Sequence, residues 1–313
     1  MKSKRAKSLQ RVGGKTMLEM ICKTAGSIST KITLIVGFDK NSIINESKSF
    51  DFEISTCEQA SPIGTGDAVK CGINEVDDAD KVLVLYGDVP LIKKETLENL
   101  VSTDDKSLTI LSTKVDNPFG YGRVKKDNDG NVTQIIEEKD ASNEDKKISE
   151  IFTGILCCNK VLLAEALKEI KNDNAAGEYY LTDIVSIINK KGFKIKTCIV
   201  SNEEVKGANT KKELSELEET FRKMKSKDLL EMGITVSDPN RVDVRGEVSA
   251  GTDCNIDVNV ILDGVVKLGD NVSIGPNTIL KDVEIGNNTS IEAFSHLVSS
   301  KVGKDCTIGP YAR

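Results

Sequence analysis

The sequence predicts an α/β domain with a largely parallel sheet, followed by a connecting helix and a parallel β-helix. Two patterns lead to this fold class. From residue 15 to about residue 200, helical stretches alternate with short β-branched runs, which is typical of α/β domains. From residue 248 onward, aliphatic residues recur every six positions, which is the repeat of a parallel β-helix. The chain has 313 residues, enough for two domains of ordinary size.

The elements of the α/β domain follow in chain order. Residues 15–25 are predicted to be helical, and the strand candidates are 32–38, 50–56, 81–86 and 107–115. The third candidate is almost continuously apolar, as expected of a strand covered on both faces, and it leads into Gly87-Asp88. Residues 123–137 hold Asp129-Gly130 between two strand-like flanks, which predicts a hairpin. A further helix is predicted at 162–170.

Residues 211–231 are predicted to form the connecting helix, because strong helix formers alternate with apolar side chains at helical spacing. Charge density falls beyond Pro239, so a domain boundary is expected near residue 235. Two rows then keep the six-residue spacing unbroken: Ile256, Leu262, Leu268, Ile274 and Leu280, and Val248, Cys254, Val260, Val266 and Val272. Aliphatic-glycine pairs from Leu268-Gly269 to Ile308-Gly309 are separated by 6, 11, 17 and 6 residues. Each short strand turns one aliphatic inward, and stacking the coils builds the core.

Composition and charge exclude several classes of protein. With 43 basic and 49 acidic side chains the net charge is -6, which argues against a general nucleic-acid binder. No apolar run approaches the roughly 20 residues of a membrane-spanning helix, and the basic residues 1–7 lack the apolar core of a secretory signal. A cytoplasmic protein is predicted. The eight cysteines show no C-x-x-C pair, so we expect core thiols rather than zinc ligands or disulfides.

Asp88, in LVLYGDVPLI, follows an apolar strand at its carboxyl end, where open α/β sheets bind ligands. One carboxylate there suits Mg²⁺, which binds one or two protein carboxylates together with substrate phosphates. A helix N-cap or a turn former is an equally good explanation of the isolated residue.

Gly64-Thr65-Gly66 precedes a helical stretch that includes residues 67–71. Glycines let a base or phosphate approach the backbone closely, and the helix N-terminus adds exposed N–H groups. Taken alone, this segment is better explained as a simple turn into a helix.

Six motifs occur together: Q-x-x-x-x-GTG from Gln59, YGDVPL, NPFGYGR, IIEEKDA, GEYYLTD and VKGAN. With the hexapeptide repeats they resemble the bacterial bifunctional family of N-acetylglucosamine-1-phosphate uridyltransferase / glucosamine-1-phosphate acetyltransferase, over essentially the whole chain. The resemblance implies a Rossmann-like nucleotidyltransferase domain at 1–210, a linker helix at 211–236 and a partial left-handed β-helix at 237–313.

Site residues follow from the same resemblance, position by position. It implies Mg²⁺ as cofactor, with Asp88 and Asn209 as its ligands, and Asp88 and Lys7 as the catalytic residues. The residues implied for the nucleotide are Lys7, Gln59, Gly64 and Thr65. The residues implied for the sugar phosphate are Tyr86, Gly87, Gly122, Glu137, Phe152 and Asn209. Phosphoryl-transfer enzymes mainly position the reactants and neutralise charge, so a magnesium ion and one lysine suffice.

The implied reaction joins UTP and N-acetylglucosamine 1-phosphate to give UDP-N-acetylglucosamine and pyrophosphate, for peptidoglycan and lipopolysaccharide precursors. No nucleic-acid partner and no membrane insertion are expected. A homotrimer through the β-helix stays open, because the family spreads its trimer contacts along coils that are mostly absent here.

The chain departs from the family pattern in several places. Its Met1 matches the last residue of the family's opening L-A-A-G-x-G-T-R-M loop, so that loop and the first strand are expected to be missing. Ala6 stands where the family has proline, and Phe152 where it has an asparagine that contacts the sugar. The coils for acetyl transfer are expected beyond Arg313. Two rival hypotheses therefore remain: a catalytically impaired or non-catalytic remnant that binds a nucleotide sugar or serves assembly, and a start codon placed too late.

Overall fold

The computed structural model describes residues 1, 3–76, 79–102 and 107–313. They divide into two compact units, Met1–Gln10 with Thr16–Ala208 and Arg11–Lys15 with Asn209–Arg313. Each unit has a hydrophobic core of its own. Within the described ranges, no helix combines the length and the apolarity needed to cross a bilayer.

The helices of the first unit are short and separate its strands. They are α1 (Met17–Gly26), α2 (Lys40–Ser47), α3 (Thr65–Ile73), α4 (Lys94–Val101), α5 (Lys160–Glu169) and α6 (Asp183–Lys190), with 3₁₀ turns at Lys7–Leu9 and Asp145–Lys147. Helix α1 begins where Thr16 caps it, because the Thr16 hydroxyl accepts the Glu19 N–H at 3.1 Å. The helices predicted at 15–25 and 162–170 are confirmed to within a few residues.

Two-residue strands β1 (Arg11–Val12) and β2 (Lys15–Thr16) precede α1. The strands of the first unit that follow α1 are β3 (Ile32–Val36), β4 (Ile54–Glu58), β5 (Lys81–Val84), β6 (Leu108–Lys114), β7 (Arg123–Lys126), β8 (Val132–Ile136), β9 (Glu150–Asn159) and β10 (Ile195–Ile199). Strands β3 and β4 form a parallel pair. The main sheet runs in the order β10-β6-β9-β7-β8, and β5 also pairs with β9.

The main sheet is mixed, which corrects the prediction of a largely parallel one. Strand β10 is parallel to β6, but the ten-residue β9 runs antiparallel to β5, β6 and β7. A strand buried on both faces carries the same apolar run in either direction, so residue pattern does not reveal its orientation. The hairpin predicted at 123–137 is confirmed, with β7 and β8 antiparallel and Gly130 at a φ of 83° in the turn.

The second unit begins with the capped helix α7 (Lys211–Glu231). The Thr210 hydroxyl accepts the Glu213 N–H at 3.1 Å, and the Glu213 carboxylate accepts the Thr210 N–H at 3.3 Å. This capping box satisfies two N–H groups that a helix start leaves unpaired. The helix ends at Glu231, five residues before the end of the predicted linker at 236, and it belongs to the same compact unit as the strands that follow it.

Parallel strands stack beyond α7 into a β-helix. They are β11 (Thr235–Val236), β12 (Val242–Ala250), β13 (Asn255–Ile256), β14 (Val260–Leu268), β15 (Ser273–Ile274), β16 (Ile279–Ile285), β17 (Ser290–Ile291), β18 (His296–Val302) and β19 (Thr307–Ile308). One stack joins β12, β14, β16 and β18, and the other joins β11, β13, β15, β17 and β19. The two predicted aliphatic rows supply half of the buried core residues; Cys254, Ile256 and Leu262 are at most 1% exposed.

The coils shorten from 18 to 17 residues within the β-helix. Val242 pairs with Val260, whereas Leu280 pairs with Leu297, and the register shifts between Asp263 and Val266. Because the later coils are one residue shorter, the aliphatic-glycine pairs of the sequence are 11 and 17 residues apart instead of 12 and 18. Asn277, like other Asn and Asp residues at the corners, has a positive φ, which short polar side chains tolerate.

Cysteines contribute to both cores. All eight are free thiols, and Cys22, Cys157, Cys158 and Cys254 are buried. Burial raises the pKa of the Cys22 and Cys158 thiols to about 12, so both stay protonated at neutral pH.

Leu262 offers a test of the β-helix core, because it is fully buried between the coils. Leu262→Ala should lower the free energy of unfolding by about 2–5 kcal/mol, from lost burial and the cavity left behind. Val265→Ala on the same strand is the control, since Val265 is 48% exposed and should cost less than about 0.5 kcal/mol. Urea unfolding followed by circular dichroism measures both, and equal losses would contradict the inward assignment of the Leu262 row.

Candidate active site

The loop after β5 places Asp88 next to Lys7. Lys7 Nζ lies 2.5 Å from Asp88 Oδ2, and the Asp88 side chain is 16% exposed. A hydrogen bond between two charged groups at this distance is a strong one. The structure therefore joins the two residues that the sequence predicts to be catalytic.

Buried neighbours hold Lys7 in this position. Ala6 is 5% exposed and donates its N–H to Asp39 Oδ2 at 2.9 Å, while Leu9 lies in the core beside α1. Lys7 opens the 3₁₀ turn between these two anchors. Gly87 lies close to the same turn, because a Cβ added at Gly87 would be 3.4 Å from Cβ of Ser8.

The Gly64-Thr65-Gly66 segment is held on the backbone of the GEYYLTD motif. A Cβ at Gly64, whose φ is 133°, would lie 2.4 Å from the Tyr179 carbonyl oxygen. Gly66 donates its N–H to that oxygen at 2.8 Å, and Leu181 donates its N–H to Thr65 Oγ1 at 3.1 Å. Only glycine fits at position 64 without displacing one of the two segments.

One N–H at the start of α3 is used within the chain, because Gly66 donates its N–H to Tyr179. Binding of a base or phosphate by the other N–H groups of this helix start stays a prediction. The close approach that Gly64 permits is therefore to another part of the same chain. Tyr179 is remote in sequence, so no local pattern reveals it.

Gln59 lies across the entry to α3. Its side-chain Nε2 donates to the Gly64 carbonyl at 3.1 Å and to Asp67 Oδ2 at 2.8 Å, while its backbone N–H donates to the Val36 carbonyl at 2.8 Å. The predicted nucleotide residues Gln59, Gly64 and Thr65 are thus one connected group.

Tyr86 connects this group to Asp88 and Glu137. Its hydroxyl is hydrogen-bonded to the Thr65 side chain, and burial raises its pKa to about 12, helped by the negative charges of Glu137 and Asp88. The ring lies against Gly154, where a Cβ would be 2.4 Å from Tyr86 Cε2. Tyr86 is therefore a neutral, fixed wall between the two halves of the site.

Glu137 and Gly122 face each other on the far side of Tyr86. A Cβ at Gly122 would lie 3.6 Å from Glu137 Oε1, and the Thr182 hydroxyl donates to the same oxygen at 2.9 Å. Burial raises the pKa of Glu137, and the charges of Asp140 and Glu178 raise it further. The Glu137 carboxylate is therefore partly buried among other acidic groups.

Phe152 and Asn209 are the predicted site residues that lie outside this group. Phe152 is 6% exposed in the core, and its backbone N–H donates to the Gly122 carbonyl at 2.8 Å. Asn209 is the first residue of the second unit after the boundary, and its N–H donates to Glu213 Oε2 at 2.6 Å. Their side-chain roles toward a ligand stay predictions.

Asp88 is the predicted metal ligand of the first unit. Gly207, near the end of the first unit, packs on it: a Cβ there would lie 3.1 Å from the Asp88 carbonyl oxygen. Across the described ranges, no group of three His, Cys, Asp or Glu residues could hold a metal ion. One carboxylate is nevertheless a sufficient protein ligand for Mg²⁺ when substrate phosphates and waters complete its shell. The residues therefore fit a magnesium ion that binds with its substrate.

Several residues of the site were not selected from the sequence. Tyr179, Leu181 and Thr182 position the glycine segment and Glu137, and Arg123 forms an ion pair with Glu138 beside the pocket. All of them belong to the motifs GEYYLTD, NPFGYGR and IIEEKDA, so membership in one of these motifs is the sequence signal that could have identified them.

Comparisons with known proteins agree with this architecture. A family model described as a MobA-like NTP transferase domain matches residues 1–173, and one described as a bacterial transferase hexapeptide (six repeats) matches residues 266–299. The chain is 42% identical to the bifunctional protein GlmU of Methylococcus capsulatus, over 100% of this chain and 68% of the relative. It is 40% identical to the bifunctional protein GlmU of Burkholderia multivorans, over 100% of this chain and 69% of the relative.

A solved structure shares the fold of the first unit. The nucleoside-diphosphate-sugar pyrophosphorylase from Vibrio cholerae RC9 superposes with a TM-score of 0.55 over 69% of this chain and 93% of that chain. The two sequences are 17% identical, so this likeness concerns the fold alone.

Gly64→Ala should destabilise the first unit by more than about 1 kcal/mol, because the new methyl group would collide with the Tyr179 backbone. Gly130→Ala is the matched control, since Gly130 also has a positive φ but has nothing within 4 Å of the added Cβ. Denaturant unfolding measures both variants. Equal losses at positions 64 and 130 would contradict the steric argument.

Glu137→Gln should make the protein more stable than wild type at neutral pH. A carboxyl with a raised folded-state pKa binds its proton more tightly when folded, so its contribution to stability is lost as the pH rises. The gain should vanish below the ordinary pKa of 4.5, where Glu137 is neutral in both states. Glu138→Gln is the control with opposite sign, because Arg123 lowers the pKa of Glu138. Urea unfolding on both sides of that pKa tests the pair, and a gain that persists in acid would contradict the assignment.

Proposed function

Since the chain belongs to the family of bifunctional GlmU proteins and is a nucleotidyltransferase, we propose that it joins UTP and N-acetylglucosamine 1-phosphate. The products are UDP-N-acetylglucosamine, a precursor for peptidoglycan and lipopolysaccharide, and pyrophosphate. The relatives and the matching family model confirm the family resemblance drawn from the six motifs. A cytoplasmic location and a homotrimer through the β-helix stay predictions.

One observation supports this reaction above the others. The Lys7–Asp88 pair, the Gly64-Thr65 segment suited to a nucleotide, and Glu137 all lie around Tyr86. The Tyr86 hydroxyl is hydrogen-bonded to Thr65, and the charges of Asp88 and Glu137 lie close to it. A site with two compartments that meet at a lysine and a carboxylate is what a transfer between a nucleotide and a sugar phosphate requires.

In this proposal the nucleotide is bound mainly by a backbone segment that other parts of the chain hold in place. Gln59 and the Gly64 region form a rigid edge because Tyr179 fixes them, and a preformed edge reduces the ordering cost of binding. Both hydrogens of Gln59 Nε2 donate within the chain, so in this proposal the side-chain oxygen of Gln59 accepts the imide N–H of uracil. In this proposal Gln59, Gly64 and Thr65 orient the uridine.

The sugar half uses a partly buried carboxylate. Glu137 accepts hydrogen bonds from sugar hydroxyls, and Thr182 fixes the orientation of its carboxylate. Gly122 leaves the space in front of Glu137 open, since any side chain there would press on Ile135 and Glu137. The neutral Tyr86 hydroxyl closes the pocket toward Asp88 without adding charge.

Lys7 neutralises negative charge where the nucleotide and the sugar phosphate meet. A phosphate oxygen of the sugar phosphate attacks the α-phosphorus of UTP, the new P–O bond forms, and the bond to the β-phosphate breaks to release pyrophosphate. Lys7, an ammonium within reach of Asp88, neutralises the negative charge of the phosphates during this displacement. Asp88 would hold Mg²⁺, which would supply further neutralisation of the phosphate oxygens, and Asn209 stays a predicted second ligand. No covalent intermediate with the protein is needed.

Asp88→Asn should abolish most of the Mg²⁺-dependent formation of UDP-N-acetylglucosamine, at least about a hundredfold, while the fold persists. Asp145→Asn is the matched control, because Asp145 also pairs with a lysine, Lys125 at 2.9 Å, and its side chain is 13% exposed. Pyrophosphate release measured over a magnesium titration compares both variants. Unchanged turnover in Asp88→Asn would refute the catalytic assignment.

Binding measurements separate this function from the non-catalytic alternative. Wild-type protein that binds UTP and UDP-N-acetylglucosamine but releases no pyrophosphate would favour a binding or assembly role. Wild-type protein that binds neither nucleotide would overturn the proposed function altogether.

A further inference from the structure

We infer that Arg123 is a positioning residue for the sugar pocket, acting with Glu138 to hold the Gly120–Gly122 turn in front of Glu137. The inference rests on the proposed function, because the ligand concerned is the N-acetylglucosamine moiety. Arg123 acts through the backbone that it fixes and is not assigned any contact with substrate.

The ion pair between Arg123 and Glu138 holds the Gly120–Gly122 turn in place. Arg123, at the start of β7, is 1% exposed; its Nη2 lies 2.5 Å from Glu138 Oε2, and its Nη1 donates to the Tyr121 carbonyl. Gly120 donates its N–H to the same Glu138 oxygen at 3.2 Å. The guanidinium fork and one carboxylate thus bind the backbone on both sides of Tyr121, directly before Gly122.

The held turn forms part of the sugar pocket. Gly122 faces Glu137 Oε1, and its carbonyl accepts the Phe152 N–H from β9. Displacement of the turn would therefore move the wall opposite Glu137 while the residues around Gly64 stay on Tyr179. The nucleotide half and the sugar half respond to different anchors.

The chemistry of the pair favours positioning over stability. Arg123 is buried in this pair whereas the Glu138 side chain is 19% exposed, and the cost of burying the guanidinium makes the pair weak evidence for a stabilising role. Arg123 Nε is buried and has no hydrogen-bond partner among the described residues, which adds a further desolvation cost. An apolar side chain would avoid both costs, but it could not bridge Tyr121 and Glu138.

Two adjacent glutamates have separate tasks as a result. Glu138 is ionised and held by Arg123, with Lys146 at 3.9 Å as a second cation. Glu137 bonds to Thr182 and faces Gly122 instead. Glu138 lies in the turn that follows β8, where the Asp140 N–H donates to the Glu137 carbonyl at 3.0 Å, and the two carboxylates reach different partners.

Titration calorimetry with UTP and with UDP-N-acetylglucosamine tests the inference in Arg123→Lys. Lysine keeps the charge but lacks the planar fork, so it cannot bridge the Tyr121 carbonyl and Glu138 together. The Kd for UDP-N-acetylglucosamine should rise about tenfold, while the Kd for UTP should change by less than about twofold. Glu138→Gln, which keeps an acceptor for Gly120, should also raise the Kd for UDP-N-acetylglucosamine relative to the Kd for UTP, by a smaller amount.

Lys126→Met is the control for lost stability. Lys126 lies on the same strand and pairs with Glu150 at 2.6 Å, away from the turn. It should lower the melting temperature without changing the ratio of the two Kd values. The inference is overturned if Arg123→Lys weakens both nucleotides equally or leaves the ratio at its wild-type value. If Arg123→Lys does not fold, an unchanged ratio in Glu138→Gln overturns it.

The wild-type protein separates the two levels of the argument. Binding of both nucleotides by wild type, with no selective loss in the variants, would refute the positioning role and leave the proposed function intact. Absence of binding in wild type would refute the proposed function, and the inference would fail with it.

Discussion

The contact between Gly64 and the Tyr179 backbone is the constraint on which the site of the first unit depends. It joins the start of α3 to the segment before α6, and hydrogen bonds from Gly66 and Leu181 close it on both sides. Thr65 passes the constraint on to Tyr86 through a hydrogen bond, and Tyr86 faces Asp88 and Glu137. Three distant parts of the chain are therefore held in one geometry by a position where a single methyl group has no room.

Charge is arranged around this frame at some expense of stability. Glu137 is buried among other acids, Asp88 depends on Lys7, and Arg123 keeps an unpaired buried N–H among the described residues. Each feature would be a poor choice for folding alone, because desolvated charges lower stability unless they are well paired. A nucleotidyltransferase needs charged groups that are preformed for its substrates, and such groups lower the stability of the fold.

The second unit is stabilised by repetition instead of a single network. Each coil of the β-helix places its aliphatic residues over those of the next, and Asn corners bond to one another, as Asn259 does to Asn277 at 2.9 Å. A change of one residue in coil length is absorbed at one corner, near Gly264, and the inward rows continue. Nearest-neighbour contacts of this kind make the unit tolerant of local irregularity.

Local chemistry in the sequence determined the helices, most strands and the β-helix, because six-residue and helical periodicities depend on neighbours along the chain. Motifs identified Asp88, Glu137 and the glycine segment, but their mutual arrangement was decided only by tertiary structure. The antiparallel direction of β9, the Tyr179 contact that occupies the Gly66 N–H, and the bridge from Arg123 to Tyr121 and Glu138 join residues whose pairing no local pattern records. A residue pattern reports which side chains are buried; the backbone partner and the strand direction depend on how distant segments meet.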